Sequence, residues 1–266
     1  MGTETNNIYE KIQAKRFANL ILDIGTFLLA SGAHCGRINS NIKRIANIWG
    51  FEIDMQPTFK GLLVSVRSTI DSENAVTLYK ESPQYNVHLE VITEVSRLSW
   101  NVVDNGLSID ETEEQFRKIK NTAHYNMWTV SIAVGFSCAG LCMLSGGDTY
   151  NAGLALIASF IGSIFRFRIS KMKFNPMIAI MIAAFVTTLI TGLGSILNIG
   201  INPEAAMATA VLYLIPGVPL INSVIDLIEG YLSAATNRML FAGFILLCIA
   251  AGMTLSITLM GINNFN

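Results

Sequence analysis

Charge is nearly absent from the second half of this chain, and that constrains the fold more than any other feature. Residues 121–266 hold 5 of the 18 Lys+Arg and 4 of the 19 Asp+Glu; the other 13 and 15 fall in residues 1–120. A water-soluble globule spreads charge over its surface, and 146 residues with so little of it cannot. Overall the chain is 52% hydrophobic and 14% charged, against about 45–50% and 25% for a soluble domain. Five stretches contain no Asp, Glu, Lys or Arg: 121–147, 149–165, 174–203, 205–225 and 239–266. A membrane-crossing helix needs about 20 mostly apolar residues. The expectation is an α-helical integral membrane protein, with a domain at 1–120 followed by five transmembrane helices at 121–266.

The loops give an orientation. Ser145 to Tyr150 and Asn198 to Glu204 carry no Lys or Arg, whereas Arg166, Arg168, Lys171 and Lys173 follow the second stretch and Arg238 the fourth. With Arg117, Lys118 and Lys120 before the first, basic residues fall on alternate sides. The positive-inside rule then puts residues 1–120 in the cytoplasm and the C-terminus outside. The first apolar stretch, Phe17 to Ala30, is interrupted by Asp23, which makes a poor secretory signal.

Residues 1–120 show periods of both kinds. Helical spacing runs over 8–31 and 37–49 and Gly50 ends the second run; alternation then marks strands at 51–56, 62–67 and 75–80. Helices resume at 89–103 and 109–120, the last with acids at its start and bases at its end. This is a small α+β unit. Ser31, His34 and Cys35 are close in sequence, but a nucleophile needs a base and an orienting group assembled in space. The three His are scattered without metal-ligand spacing, so neither a catalytic residue, a metal nor a cofactor is expected. A net charge of −1 and the lack of a Gly-rich phosphate loop argue against nucleic acid or nucleotide.

The fourth apolar stretch carries the functional signal. Ala205 to Ile215 is eleven residues, roughly 16 Å of helix, about half the hydrocarbon core. Pro216-Gly217-Val218-Pro219 then breaks it, and a continuous helix there would leave the carbonyls of Leu212 and Ile215 without donors. Beyond the break Asn222, Asp226, Glu229 and Ser233 share one face of a helix. Ionisable groups at membrane depth mark ion or substrate routes, and broken helices often build transporter sites. The alternative is an interfacial helix wetted on its acidic face. Small residues at spacing four, Ser131-Gly135-Ala139, Ala155-Ser159-Ser163 and Ala179-Ala183-Thr187-Thr191-Ser195, suit helix contacts; Thr187, Thr188 and Thr191 would equally suit the lining of a path.

The stretch Pro216-Gly-Val-Pro-Leu-Ile-Asn-Ser-Val-Ile-Asp-Leu-Ile-Glu-Gly230, with Arg238 downstream, resembles the signature of the threonine/serine exporter family. Ser31-Gly32-Ala33, Arg37-Ile38, Ile45-Ala46, Trp49-Gly50-Phe51 and Pro57-Thr58 resemble that family's cytoplasmic domain. Ala234 and Ala235 depart from it where a glycine is expected. The resemblance implies secondary export of small metabolites across a bacterial inner membrane, amino acids such as threonine and serine or dicarboxylates such as succinate. It also implies a separate smaller membrane subunit as partner, in a homo- or hetero-oligomer. Pro216, Gly217, Pro219, Asn222, Asp226 and Gly230 match the motif and inherit its transport role. Asp226 or Glu229 would carry an exchanged proton. Two other functions compete: a ligand-sensing or assembly subunit merely anchored by its helices, and an intramembrane hydrolase using Ser195, for which only His124 could serve as a distant base.

Overall fold

The computed structural model describes residues 3–58, 60–69, 75–123, 125–172 and 175–262, with side chains from Ala14 onward. The elements in chain order are α1 (Thr3–Ala30), α2 (Cys35–Ile48), β1 (Phe51–Pro57), β2 (Gly61–Ser68), β3 (Ala75–Glu81), α3 (Leu89–Asn105) and α4 (Ile109–Lys120). They continue with α5 (Met127–Leu144), α6 (Thr149–Lys171), α7 (Pro176–Ile196), α8 (Pro203–Ala210), a 3₁₀ turn (Leu212–Leu214), α9 (Gly217–Ile228) and α10 (Leu232–Met260). Each helix and strand expected before residue 121 is present, with ends that differ by a few residues. Two compact units result: Met1–His124 with Val218–Leu240, and Tyr125–Gly217 with Phe241–Asn266. His124 and Lys173 lie outside the described residues.

In the first unit β1, β2 and β3 form an antiparallel sheet in that order. Its register pairs Ile53 with Val66 and Met55 with Val64, so alternate side chains share one face. Ile53, Leu62, Val64 and Val66 are buried with Phe17, Ile21, Ile24 and Leu28 of α1 in one core. Ile38, Ile42 and Ile45 close it from α2, together with Cys35 and Ala46, on the apolar stripe of an amphipathic helix. Phe17 stacks on Phe51 at 4.5 Å and meets Trp49 edge-on at 5.5 Å. The acid-first, base-last order of α4 is completed by a capping box between Ser108 and Glu111.

In the second unit, α5, α6 and α7 are long and apolar enough to cross a membrane, as is α10, which runs on into this unit. The count becomes five if Pro203–Leu214 and Gly217–Ile228 are taken together as one broken span. Large apolar side chains point outward, Phe136 being 66% and Leu247 67% exposed, as suits a surface against lipid. Between helices the side chains are small. Ser131 and Ser163 hydrogen-bond at 3.0 Å, Ala155, Ala158, Ala183 and Ala184 are fully buried, and a Cβ on Gly252 would stand 2.3 Å from the Met181 carbonyl oxygen. Asn151 fixes the loop after α7, donating to the Ile199 carbonyl and accepting from the Asn202 N–H, both at 2.9 Å.

The break before α9 is internally satisfied. The Leu212 carbonyl accepts from the Ile215 N–H at 3.1 Å and the Ile215 carbonyl from the Gly217 N–H at 2.9 Å. The two oxygens at risk in a continuous helix are therefore engaged by the 3₁₀ turn and the residue after it.

Candidate functional site

α9 is short because prolines set its start and a glycine its end. Pro216 stands just before it and Pro219 in its first turn, where a missing N–H costs nothing. Gly230, at φ +86°, stops it; the Tyr231 N–H returns to the Asp226 carbonyl at 2.8 Å, the bond pattern of a left-handed glycine cap. That stop corrects one expectation from the sequence. Asn222, Asp226 and Glu229 do share a face, but Ser233 falls on α10 beyond the turn and is exposed.

Asn222, Asp226 and Glu229 converge on the start of α2, within the first unit. Asn222 Nδ2 donates to the Gly32 carbonyl at 2.7 Å. Asp226 Oδ1 accepts from the Cys35 N–H at 2.7 Å and Glu229 Oε2 from the Gly36 N–H at 3.0 Å. α2 has no acidic side chain in its own first turn, so the unpaired N–H groups and partial positive charge of its N-terminus are met by carboxylates about 190 residues downstream. Gly32, at φ +92°, turns the chain out of α1. At Gly36 the requirement is space: a Cβ there would lie 2.2–2.4 Å from the Glu229 carboxylate.

Arg238, on α10, completes the cluster. Its Nε lies 3.1 Å from Asp226 Oδ2 and its Nη2 donates to the Ala33 carbonyl at 2.8 Å. Asp226 is fully buried and the Arg238 side chain only 13% exposed. Their ion pair is not a complete hydrogen bond, since Asp226 Oδ2 and Arg238 Nη1 are buried without a hydrogen-bond partner. Asp226 is thus enclosed and paired, whereas the sequence pattern anticipates a carboxylate lining open water; the α2 N-terminus is what encloses it.

His34 has two uses for one nitrogen. Nδ1 is 3.3 Å from the Arg37 N–H, which it caps as acceptor, and 3.2 Å from Glu229 Oε2. With a bare Nδ1 the helix is capped and the carboxylate faces a lone pair. A proton between Nδ1 and Glu229 makes the second contact and gives up the first. His34 and Glu229 are 26% and 33% exposed, so solvent protons reach them.

Ligand atoms of His34, Asp226 and Glu229 lie within 4.8 Å of one another. A backbone N–H already engages one oxygen of each carboxylate and a guanidinium sits against Asp226. Burial, reinforced by the Asp226 carboxylate, pushes the Cys35 thiol up to about 12, and the Ser31 hydroxyl donates to the Phe27 carbonyl at 2.8 Å. Neither is an activated nucleophile.

The second unit contains the three threonines anticipated as path lining. Thr187 Oγ1 is 3.2 Å from the Tyr213 hydroxyl. Thr191 Oγ1 donates back to the carbonyls of Thr187 and Thr188 at 3.1 and 3.2 Å, as a threonine does when it serves its own helix. Thr188 Oγ1 is buried with no hydrogen-bond partner. Of the residues that hold the site, Arg238 stands out in the sequence only as the basic residue downstream of the 216–230 motif, and His34 and Gly36 carry no spacing signal that links them to position 226. The hint for those two is an α2 start lacking an acid of its own.

Residues 19–260 match the family model described as the threonine/serine exporter ThrE. A protein of Escherichia coli (strain K12) named "Probable succinate transporter subunit YjjP" is 27% identical over 254 residues, covering 95% of this chain and 98% of that protein. The Klebsiella aerogenes protein of the same name is 26% identical, over 96% of this chain and 98% of that protein. A Mycobacterium tuberculosis protein named "Probable threonine/serine exporter" is 21% identical over 98% of this chain but only 49% of its own length. No solved structure matches the chain. With a family model spanning nearly all of its length and relatives aligned end to end, this chain belongs to the threonine/serine exporter family.

Proposed function

We propose that the chain is a subunit of a secondary exporter that moves small carboxylate-bearing metabolites out of the cytoplasm, dicarboxylates such as succinate or threonine/serine-type amino acids, coupled to a proton gradient. The observation that carries this is the cluster at the start of α2, where two backbone N–H groups, His34 and Arg238 hold the carboxylates of Asp226 and Glu229. A cradle that accepts the chain's own carboxylates has the right donors for a cargo carboxylate, and Arg238 Nη1 has a valence left over. A proton on the His34–Glu229 contact decides whether Glu229 stays, so proton movement and cradle access are linked. Asp226 is the fixed carboxylate and Glu229 the exchangeable one. Residues 1–120 act as a cytoplasmic domain of a bacterial inner-membrane protein, the C-terminus lies outside, and a separate smaller membrane subunit supplies the rest of the passage. Pro216, Gly217, Pro219 and Gly230 set the length and direction of α9, and Thr187 and Thr191 line the route.

One observation favours a second function, a ligand-sensing or assembly subunit without flux: Asp226 and Glu229 group with the N-terminal unit rather than with the long apolar helices. Metabolite efflux from cells with and without the chain, scored across amino acids and dicarboxylates, separates the two. Export predicts efflux that depends on the chain, is abolished by Asp226→Asn at unchanged expression, and loses its pH dependence in Glu229→Gln. Ligand binding by the intact protein with no change in any efflux would establish the sensing role instead.

A further inference from the structure

A groove of about 460 Å³ lies between α1 and α4 in the first unit, away from the residues of the α2 cradle. Its floor is apolar, with Leu20 and Phe116 both nearly buried. Its rim carries Lys15, Arg16, Arg117 and Lys120 against two acids, Asp23 and Glu113. Both acids are already engaged, Asp23 by Lys80 and Glu113 by Arg16. Arg16 is held as a fork, its Nε and Nη2 donating to Glu113 at 3.0 and 2.8 Å and Nη2 also meeting Asp110. Lys120 Nζ stands 5.5 Å from the Phe116 ring centroid, which fixes its direction. Among the described residues Lys15, Arg117 and Lys120 have no ion pair. With four basic side chains against two acids around a concave apolar floor, the groove has the charge balance to receive an anion.

The chain path says which anion. Lys120 is seven residues before Met127, where α5 begins, so in sequence these basic residues directly precede the first apolar helix. Tyr125 and Trp128, 77% and 49% exposed, mark that end of α5 as the level of the lipid headgroups. Basic clusters immediately before a spanning helix bind anionic lipid. We propose that the α1–α4 groove is a phosphate-binding site, occupied by the headgroup of an anionic phospholipid and open in principle to a free phosphate ester.

The test uses the full chain in nanodiscs of phosphatidylcholine alone, of phosphatidylcholine with phosphatidylglycerol, and of phosphatidylcholine with inorganic phosphate added. Lysine modification by an amine reagent is followed by mass spectrometry at Lys15 and Lys120, with exposed Lys43 on α2 as the internal standard. The expected result is slower modification of Lys15 and Lys120, but not Lys43, in phosphatidylglycerol. Arg117→Gln should weaken that protection about fivefold per unit lipid. Protection by inorganic phosphate in neutral discs alone would keep the site and assign it to a soluble ester. Equal rates in all three discs, or protection shared by Lys43 or unaltered by Arg117→Gln, would overturn the proposal.

Discussion

Gly36 shows what a single hydrogen atom in place of a methyl group can decide. Glu229 reaches the Gly36 N–H only because nothing projects from that Cα. Gly36→Ala should expel the carboxylate, cost about 1 kcal/mol of stability because Glu229 remains a third exposed, and remove the pH dependence of efflux as Glu229→Gln does. Asp226 and Arg238 obey a different rule. Each is buried, so losing one partner strands the other's charge and should cost roughly 3–5 kcal/mol. Losing both, in Asp226→Asn with Arg238→Gln, should cost less than the sum of the singles when unfolding of the four variants is compared in detergent. Cys35 gives a pH signature. Its folded thiol is raised, so the neutral thiol contributes stability below the ordinary value of 9 that is lost as pH climbs toward about 12. Maleimide should leave Cys35 unmodified at pH 8 until the protein is denatured, and the fall in unfolding midpoint above pH 9 should be smaller in Cys35→Ala.

At the scale of elements, much of the fold was legible because each pattern has its own period. The strands were readable from alternation at Phe51, Ile53 and Met55, and α4 from its ordered charges. The end of α9 was missed because Gly230 looks tolerable in a helix until its φ is known, and that one turn removes Ser233 from the acidic face. The cradle was half legible: Asn222, Asp226 and Glu229 follow from helical spacing, but their partners His34, Cys35 and Gly36 are about 190 positions away, and no local rule connects them. Helix packing yields a sharper prediction. In α10, Gly252 lies against the Met181 backbone while nothing stands within 4 Å of a Cβ on Gly243. Gly252→Ala must force α7 and α10 apart, because a carbonyl cannot yield as a flexible side chain can, and should lower the melting temperature of the solubilised protein. Gly243→Ala should be neutral or slightly stabilising.

At the scale of the whole molecule, orientation is the property to measure. Basic residues before α5 and at the end of α6, with none in the loop between the two helices, are expected to share one side of the membrane, with the α5–α6 loop on the other. In a cysteine-free background, Ser145→Cys should react with an impermeant maleimide on intact cells, and Ser170→Cys only after the membrane is opened. The reverse labelling would invert the whole arrangement, and with it the direction of transport.

The α2 start, finally, has a history within each molecule. Its two carboxylate partners are made some 190 residues after it, and a ribosome adding roughly 5–20 residues per second takes about 10–40 s to cover that distance. Through that interval the N-terminal segment carries a bare helix end and an exposed Cys35 backbone. The end is covered only once Asp226 and Glu229 have been made, so a product that stops short of them leaves it open to whatever acidic surface, chaperone or protease finds it first.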